Sequence, residues 1–194
     1  MGDLAKTPGV VALAFHVDYW DYIGWKDPYA FAGATERQRG YTTTLGSRYL
    51  YTPEMVVDGA EDTTGSDRDA VGKLIGEARQ LAGKVPLAVR EASEKYLVSI
   101  PASGFRTGAS VWLAIFDKEH TTSVARGENQ GRTLKDANVV RELRQLGRYD
   151  GKAKEIALDL ALPRDRGCAV LLQADHRPGD GQGKIIGAAL VDER

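Results

Sequence analysis

Apolar and polar positions change their rhythm near Gly83-Lys84-Val85-Pro86. Before that point, short apolar runs alternate with segments of near-helical spacing. Val10 to Val17 is almost continuously apolar, the pattern of a strand buried on both faces of a parallel sheet. Pro28 predicts the first turn of a helix running to Leu45, with Gly46 as its stop and Glu36, Arg37, Gln38 and Arg39 as its polar face. Tyr51-Thr52-Pro53 leads into a strand at Met55-Val56-Val57. Asp58-Gly59 predicts a turn, and Glu61 to Thr64 its hairpin partner. Ser66 predicts the cap of a helix from Asp67 to Ala82, with Val71, Leu74, Ile75 and Ala78 on one face.

After Pro86 the spacing is close to two. Leu87–Glu91, Tyr96–Ile100, Ser110–Phe116, Thr121–Arg126, Glu155–Leu162, Cys168–Ala174 and Ile185–Val191 are predicted strands. Asn138–Leu146 predicts a short helix, because Val139, Val140, Leu143 and Leu146 recur at helical intervals. Gly179-Asp180-Gly181-Gln182-Gly183 is a connector. The pattern divides the chain at residue 84, into an α/β part (1–84) and an antiparallel β-sandwich-like part (85–194).

Composition narrows the classes. The chain has 194 residues, 42% hydrophobic and 27% charged, as in a globular protein. A net charge of −1 gives no reason to expect nucleic acid as a partner. No apolar run reaches the roughly 20 residues of a membrane span, and no signal peptide is visible. As written, the chain reads as cytoplasmic. Cys168 is the single cysteine. It lies in an apolar run and reads as a core thiol, because one cysteine makes neither an internal disulfide nor a dithiol pair.

Several residues are candidates for chemistry. His16 and Asp18 would project to one side of a strand. They could form a hydrogen-bonded pair or part of a metal site; equally, Asp18 orients His16 or caps the next turn. Tyr19, Trp20, Tyr22, Trp25 and Tyr29 offer either a stacking wall or a cap over the end of a sheet. Gly127-Glu128-Asn129-Gln130-Gly131-Arg132-Thr133 lacks the ending of a P-loop and reads as a tight loop. Arg126, Arg132 and Arg141 could hold an anion or pair with Glu128. His120 and His176 fall in loop-like contexts and are expected in solvent. No metal or cofactor is expected.

The stretch Ala14-Phe15-His16-Val17-Asp18-Tyr19-Trp20-Asp21-Tyr22-Ile23-Gly24-Trp25-Lys26-Asp27-Pro28 resembles a signature of an uncharacterised bacterial family, domain of unknown function 1223. The likeness continues through Thr35–Arg39, Tyr51–Gly59, Gly65–Arg68, Arg126–Leu134 and Asn138–Arg141. This resemblance implies a thioredoxin-like domain followed by a β-rich one. It also implies an export signal, a first strand and a Cys-x-x-Cys helix, none of which this sequence contains. The expectation is therefore an incomplete thioredoxin-like domain with Met1 internal to a longer frame, poorly stable alone, and periplasmic or secreted if a signal precedes it. In such a fold a strand would lie between Val10–Val17 and Met55–Val57.

The resemblance further implies a cis Thr52-Pro53 bond, with a peptide pairing along the backbone before Pro53. The expected role is non-catalytic binding of a peptide or protein partner at Thr52 and Pro53, with His16, Asp18 and Trp20 lining the groove. The alternatives are an exported thiol–disulfide oxidoreductase whose longer frame supplies the cysteines and, more weakly, a metal-dependent hydrolase. Oligomeric state is left open.

Overall fold

The computed structural model describes residues 1–24, 26–92, 95–123 and 131–191. The fold is α/β, with few helices and, among the described residues, three antiparallel sheets. Helix α1 is a single turn, Gly2–Ala5. An extended segment, residues 10–17, and a 3-10 turn at Asp21–Ile23 precede α2, Ala32–Leu45. Strands β1 (Glu54–Val57) and β2 (Glu61–Thr64) form the predicted hairpin, in which Asp58 and Gly59 both take positive φ. Helix α3 follows, Arg68–Gln80.

The rest is β: β3 Ala88–Ala92, β4 Lys95–Ile100, β5 Ala109–Ser123, β6 Thr133–Tyr149, β7 Lys154–Leu158, β8 Arg166–Ala174 and β9 Ile185–Val191. A three-stranded sheet has the order β3-β4-β7, and a four-stranded sheet the order β6-β5-β8-β9. They share one core. Val98, Ile100 and Leu158 meet Val111, Leu113, Ile115, Val170 and Leu172. Each such side chain contributes about 1.5–3 kcal/mol on burial.

The opposite face of the four-stranded sheet is buried too. Ala114, Phe116, Val140 and Ala169 pack there against Val11, Leu13, Phe15 and Phe31. That two-sided cover explains why β8 is apolar at successive positions instead of alternating. Ala14 forms a parallel bridge to Val139: Ala14 N–H donates to Asn138 O (2.9 Å), and Val140 N–H donates to Ala14 O (2.8 Å). Asn138 takes φ 52° and its Nδ2 donates to Ala12 O at 2.8 Å. Further bonds tie residues 1–84 to the sheets. Ile185 N–H donates to Asp58 O (2.7 Å), and Gln173 Nε2 to the Tyr41 hydroxyl (3.1 Å).

Four expectations need correcting. Asn138–Leu146 is not a helix but the middle of β6. Register shifts in the β5–β6 pairing leave Arg141 and Leu146 as extra residues, so the apolar spacing imitates a helix. Among the described residues, Val10–Val17 is extended but bridges only at Ala14. Helix α2 begins at Ala32, since Asp27 first turns the chain by accepting Tyr29 N–H (2.8 Å) on its carboxylate and Ala30 N–H (3.2 Å) on its carbonyl. The cap of α3 is Asp67, not Ser66; its carboxylate accepts Ala70 N–H at 3.0 Å. Among the described residues, no helix is long and apolar enough to cross a membrane.

Candidate functional site

Two of the expected groove residues meet where the 3-10 turn passes the start of β1. Trp20 Nε1–H donates to Thr52 Oγ1 at 3.1 Å, and Thr52 and Pro53 are exposed. The Thr52-Pro53 bond is cis. Pro53 O accepts Gly65 N–H at 2.8 Å, but the backbone N–H and C=O of Thr52 have no hydrogen bond among the described residues. Aromatic and aliphatic surface surrounds this point. Trp20 is 44% exposed, Tyr22 79%, Ile23 47% and Tyr49 71%. Trp20 stacks with Tyr22 at 6.4 Å, and Tyr49 stands edge-on to Tyr51 at 6.3 Å.

Polar groups lie beneath it. Gln38, buried on α2, donates from Nε2 to Tyr51 O at 2.8 Å. Its Oε1 and the Tyr19 hydroxyl are buried and have no partner among the described residues. Burial raises the Tyr19 pKa, and the neighbouring Gln38 amide opposes the rise. Glu54 behaves alike: burial raises its pKa, Gln38 opposes this, and the Asp62 charge adds to it. Tyr51 donates to Asp62 Oδ2 at 2.5 Å; burial and that carboxylate raise its pKa.

His16 and Asp18 do not pair, correcting the strand-based expectation. The backbone there is not a ladder strand, and the two side chains take different partners. His16 Nδ1 lies 2.7 Å from Asp27 Oδ2. Asp18 instead accepts from Thr35 Oγ1 at 2.5 Å, and its own N–H donates to that oxygen at 3.2 Å. Burial pushes the His16 pKa down, but the hydrogen bond and charge of Asp27 outweigh this and raise it. Burial pushes the Asp27 pKa up, and the His16 bond lowers it on balance. Neither His16 nor Asp18 is shown to line the Thr52 surface.

Tyr29 joins this cluster to the large sheet. Its ring stands edge-on to His16 at 6.1 Å, lies 4.1 Å from His120, and carries the Arg141 guanidinium at 4.5 Å. His120 is therefore half-buried in β5 rather than in a solvated loop. Arg141 also lies 3.7 Å from Asp117, and its Nη1 is buried without a partner among the described residues. His176 is exposed, as expected, and Arg132 is exposed as well. Trp25, Arg126 and Glu128 lie outside the described residues. Cys168 is 1% exposed in β8. Among the described residues, no group of three or more His, Cys, Asp or Glu could hold a metal ion.

Sequence reasoning missed Asp27, Gln38 and Glu54 as site groups. Gln38 looked like one member of a polar helix face. No local pattern signals that it turns inward beneath residue 51.

The fold is similar to the crystal structure of an Agrobacterium tumefaciens protein solved as a structural-genomics target. The TM-score is 0.80 at 28% identity, over 97% of this chain and 83% of that one. No curated protein matches the sequence. The family model described as protein of unknown function (DUF1223) matches residues 1–173, so the chain belongs to that family.

Proposed function

We propose that this is a thioredoxin-like binding protein that takes an extended peptide or partner segment along Thr52-Pro53, beside Trp20. The order of elements supports the fold reading: an extended segment, α2, a proline opening a β-hairpin, then α3. The observation that carries the binding reading is the unpaired backbone of Thr52 on an exposed surface. In an antiparallel ladder one residue exchanges both its N–H and C=O with one residue opposite. Thr52 offers such a pair, each bond adding about 0.5–1.5 kcal/mol. Trp20, Tyr22 and Ile23 add apolar contact area beside it.

Thiol–disulfide exchange needs an accessible thiolate. The sequence supplies one thiol, Cys168, interior in β8. The proposed role is therefore recognition without dithiol chemistry by this chain. Selection from a display library of extended peptides, followed by calorimetry, tests it. Trp20→Ala is expected to weaken a selected peptide about tenfold, as loss of an aromatic anchor does. Failure of any peptide to bind, or equal binding by wild type and Trp20→Ala, would contradict it.

A further inference from the structure

Thr52 is the first residue of a row. Gly65 N–H donates to Pro53 O at 2.8 Å, and the register pairs Glu54 with Thr64, Met55 with Thr63 and Val56 with Asp62. Hydrogen-bonded and non-hydrogen-bonded pairs alternate along an antiparallel ladder. Pro53, Met55 and Val57 therefore turn their backbone polar groups toward β2, and Thr52, Glu54 and Val56 turn theirs away. Among the described residues, β1 has β2 as its one neighbouring strand, and the N–H and C=O of Glu54 and Val56 are as unpaired as those of Thr52. Such groups repeat about every 6.8 Å along one edge.

The side chains of β1 are incompletely covered as well. All of Glu54–Val57 is half-buried, and among the described residues Met55, Val56 and Val57 join neither buried cluster. Helix α3, packed against β1, buries Val71 and Ala78 but leaves Leu81 58% exposed. By contrast β8, paired along both edges, is buried at every position from Gly167 to Ala174. A strand with one unpaired edge and half-exposed apolar side chains is a template for another strand. This edge is continuous with the surface at Thr52, so its occupant is the extended segment held there.

We propose that this segment adds to β1 as an antiparallel third strand, its alternate residues pairing with Val56, Glu54 and Thr52 and the residues between them setting apolar side chains beside Met55 and Pro53. The inference rests on the peptide-binding reading above and extends it from one residue to the whole edge. Successive side chains of a strand point to opposite faces, so the intervening residues share the face of Met55 and Pro53. The ligand class is a segment of at least five residues, apolar at alternate positions, with no proline where its own N–H must face β1.

Calorimetry with the full chain tests this, using an acetylated and amidated heptamer with threonine at its odd and valine at its even positions. N-methylation of the third or the fifth residue removes an N–H that faces β1 in either register that engages all three residues. Each should weaken binding about tenfold. N-methylation of the second, fourth or sixth residue should change binding by less than about twofold. A heptamer with serine in place of valine should bind about tenfold more weakly. Hydrogen exchange with this heptamer or a selected peptide should show the Glu54 and Val56 amides protected along with that of Thr52, while the Met55 amide, already turned to β2, is unchanged. Equal effects of N-methylation at odd and even positions, equal binding by the serine form, or protection confined to Thr52 would overturn the added strand and leave the Thr52 reading standing. No binding by the heptamer or by any selected peptide would overturn both.

Discussion

At 2.7 Å the His16 imidazole and the Asp27 carboxylate each change the other's proton affinity. His16 is held above its ordinary 6.5, so its contribution to stability is complete below pH 6.5 and is lost as pH rises through the folded value. Asp27 is held below its ordinary 3.8, so its contribution is present above pH 3.8 and is lost as pH falls through the folded value. The pair therefore supports the fold most between those limits. Thermal melts should show Tm falling as pH rises above 6.5, and His16→Gln should flatten that fall. An unchanged slope in the variant would contradict the pairing. None of this was legible in the sequence. His16 was recognisable as a candidate, but Asp27 stands eleven positions on and approaches only because the chain turns at Asp21–Ile23. Thr52 and Trp20 were legible as neighbours only through the family resemblance, since 32 positions separate them.

At the level of elements, the attachment of residues 10–17 to β6 depends on Asn138. Its left-handed φ of 52° suits asparagine, and its side chain reaches Ala12 O. Asn138→Ala loses both features and should cost about 1–3 kcal/mol in urea unfolding. Asn138→Gly keeps the backbone freedom and should cost less. If both variants match wild type, Asn138 is not the anchor. The same region shows where pattern reading stops. Strand β9, Ile185–Val191, has the limits that its sequence predicts. The β1–β2 hairpin is also as predicted, because Asp58-Gly59 states its turn directly. Strand β6 is bulged at Arg141 and Leu146, and each extra residue flips the side-chain alternation. Val139, Val140, Leu143 and Leu146 thus carry helical spacing on a strand.

For the molecule as a whole, the four-stranded sheet is the shared wall between two packed layers. Leu172 on β8 is fully buried, and Leu172→Ala should lose about 2–5 kcal/mol. Cys168 sits on the same strand at 1% exposure, so its alkylation should follow global unfolding rather than local opening. Alkylation of the native chain at the rate of a free thiol would show that β8 opens on its own. The two-sided burial was half legible: the apolar run Cys168–Leu172 declares a strand covered on both faces, but not that residues 10–17 supply one of the covers.

The account centres on one residue's backbone, Thr52, left unpaired at the surface beside Trp20. Amide hydrogen exchange at Thr52, measured with and without a selected peptide, tests this most directly. Fast exchange in the free chain and strong protection in the complex are the expected result. A peptide that binds tightly while the Thr52 amide exchanges at an unchanged rate would place recognition elsewhere and contradict the account.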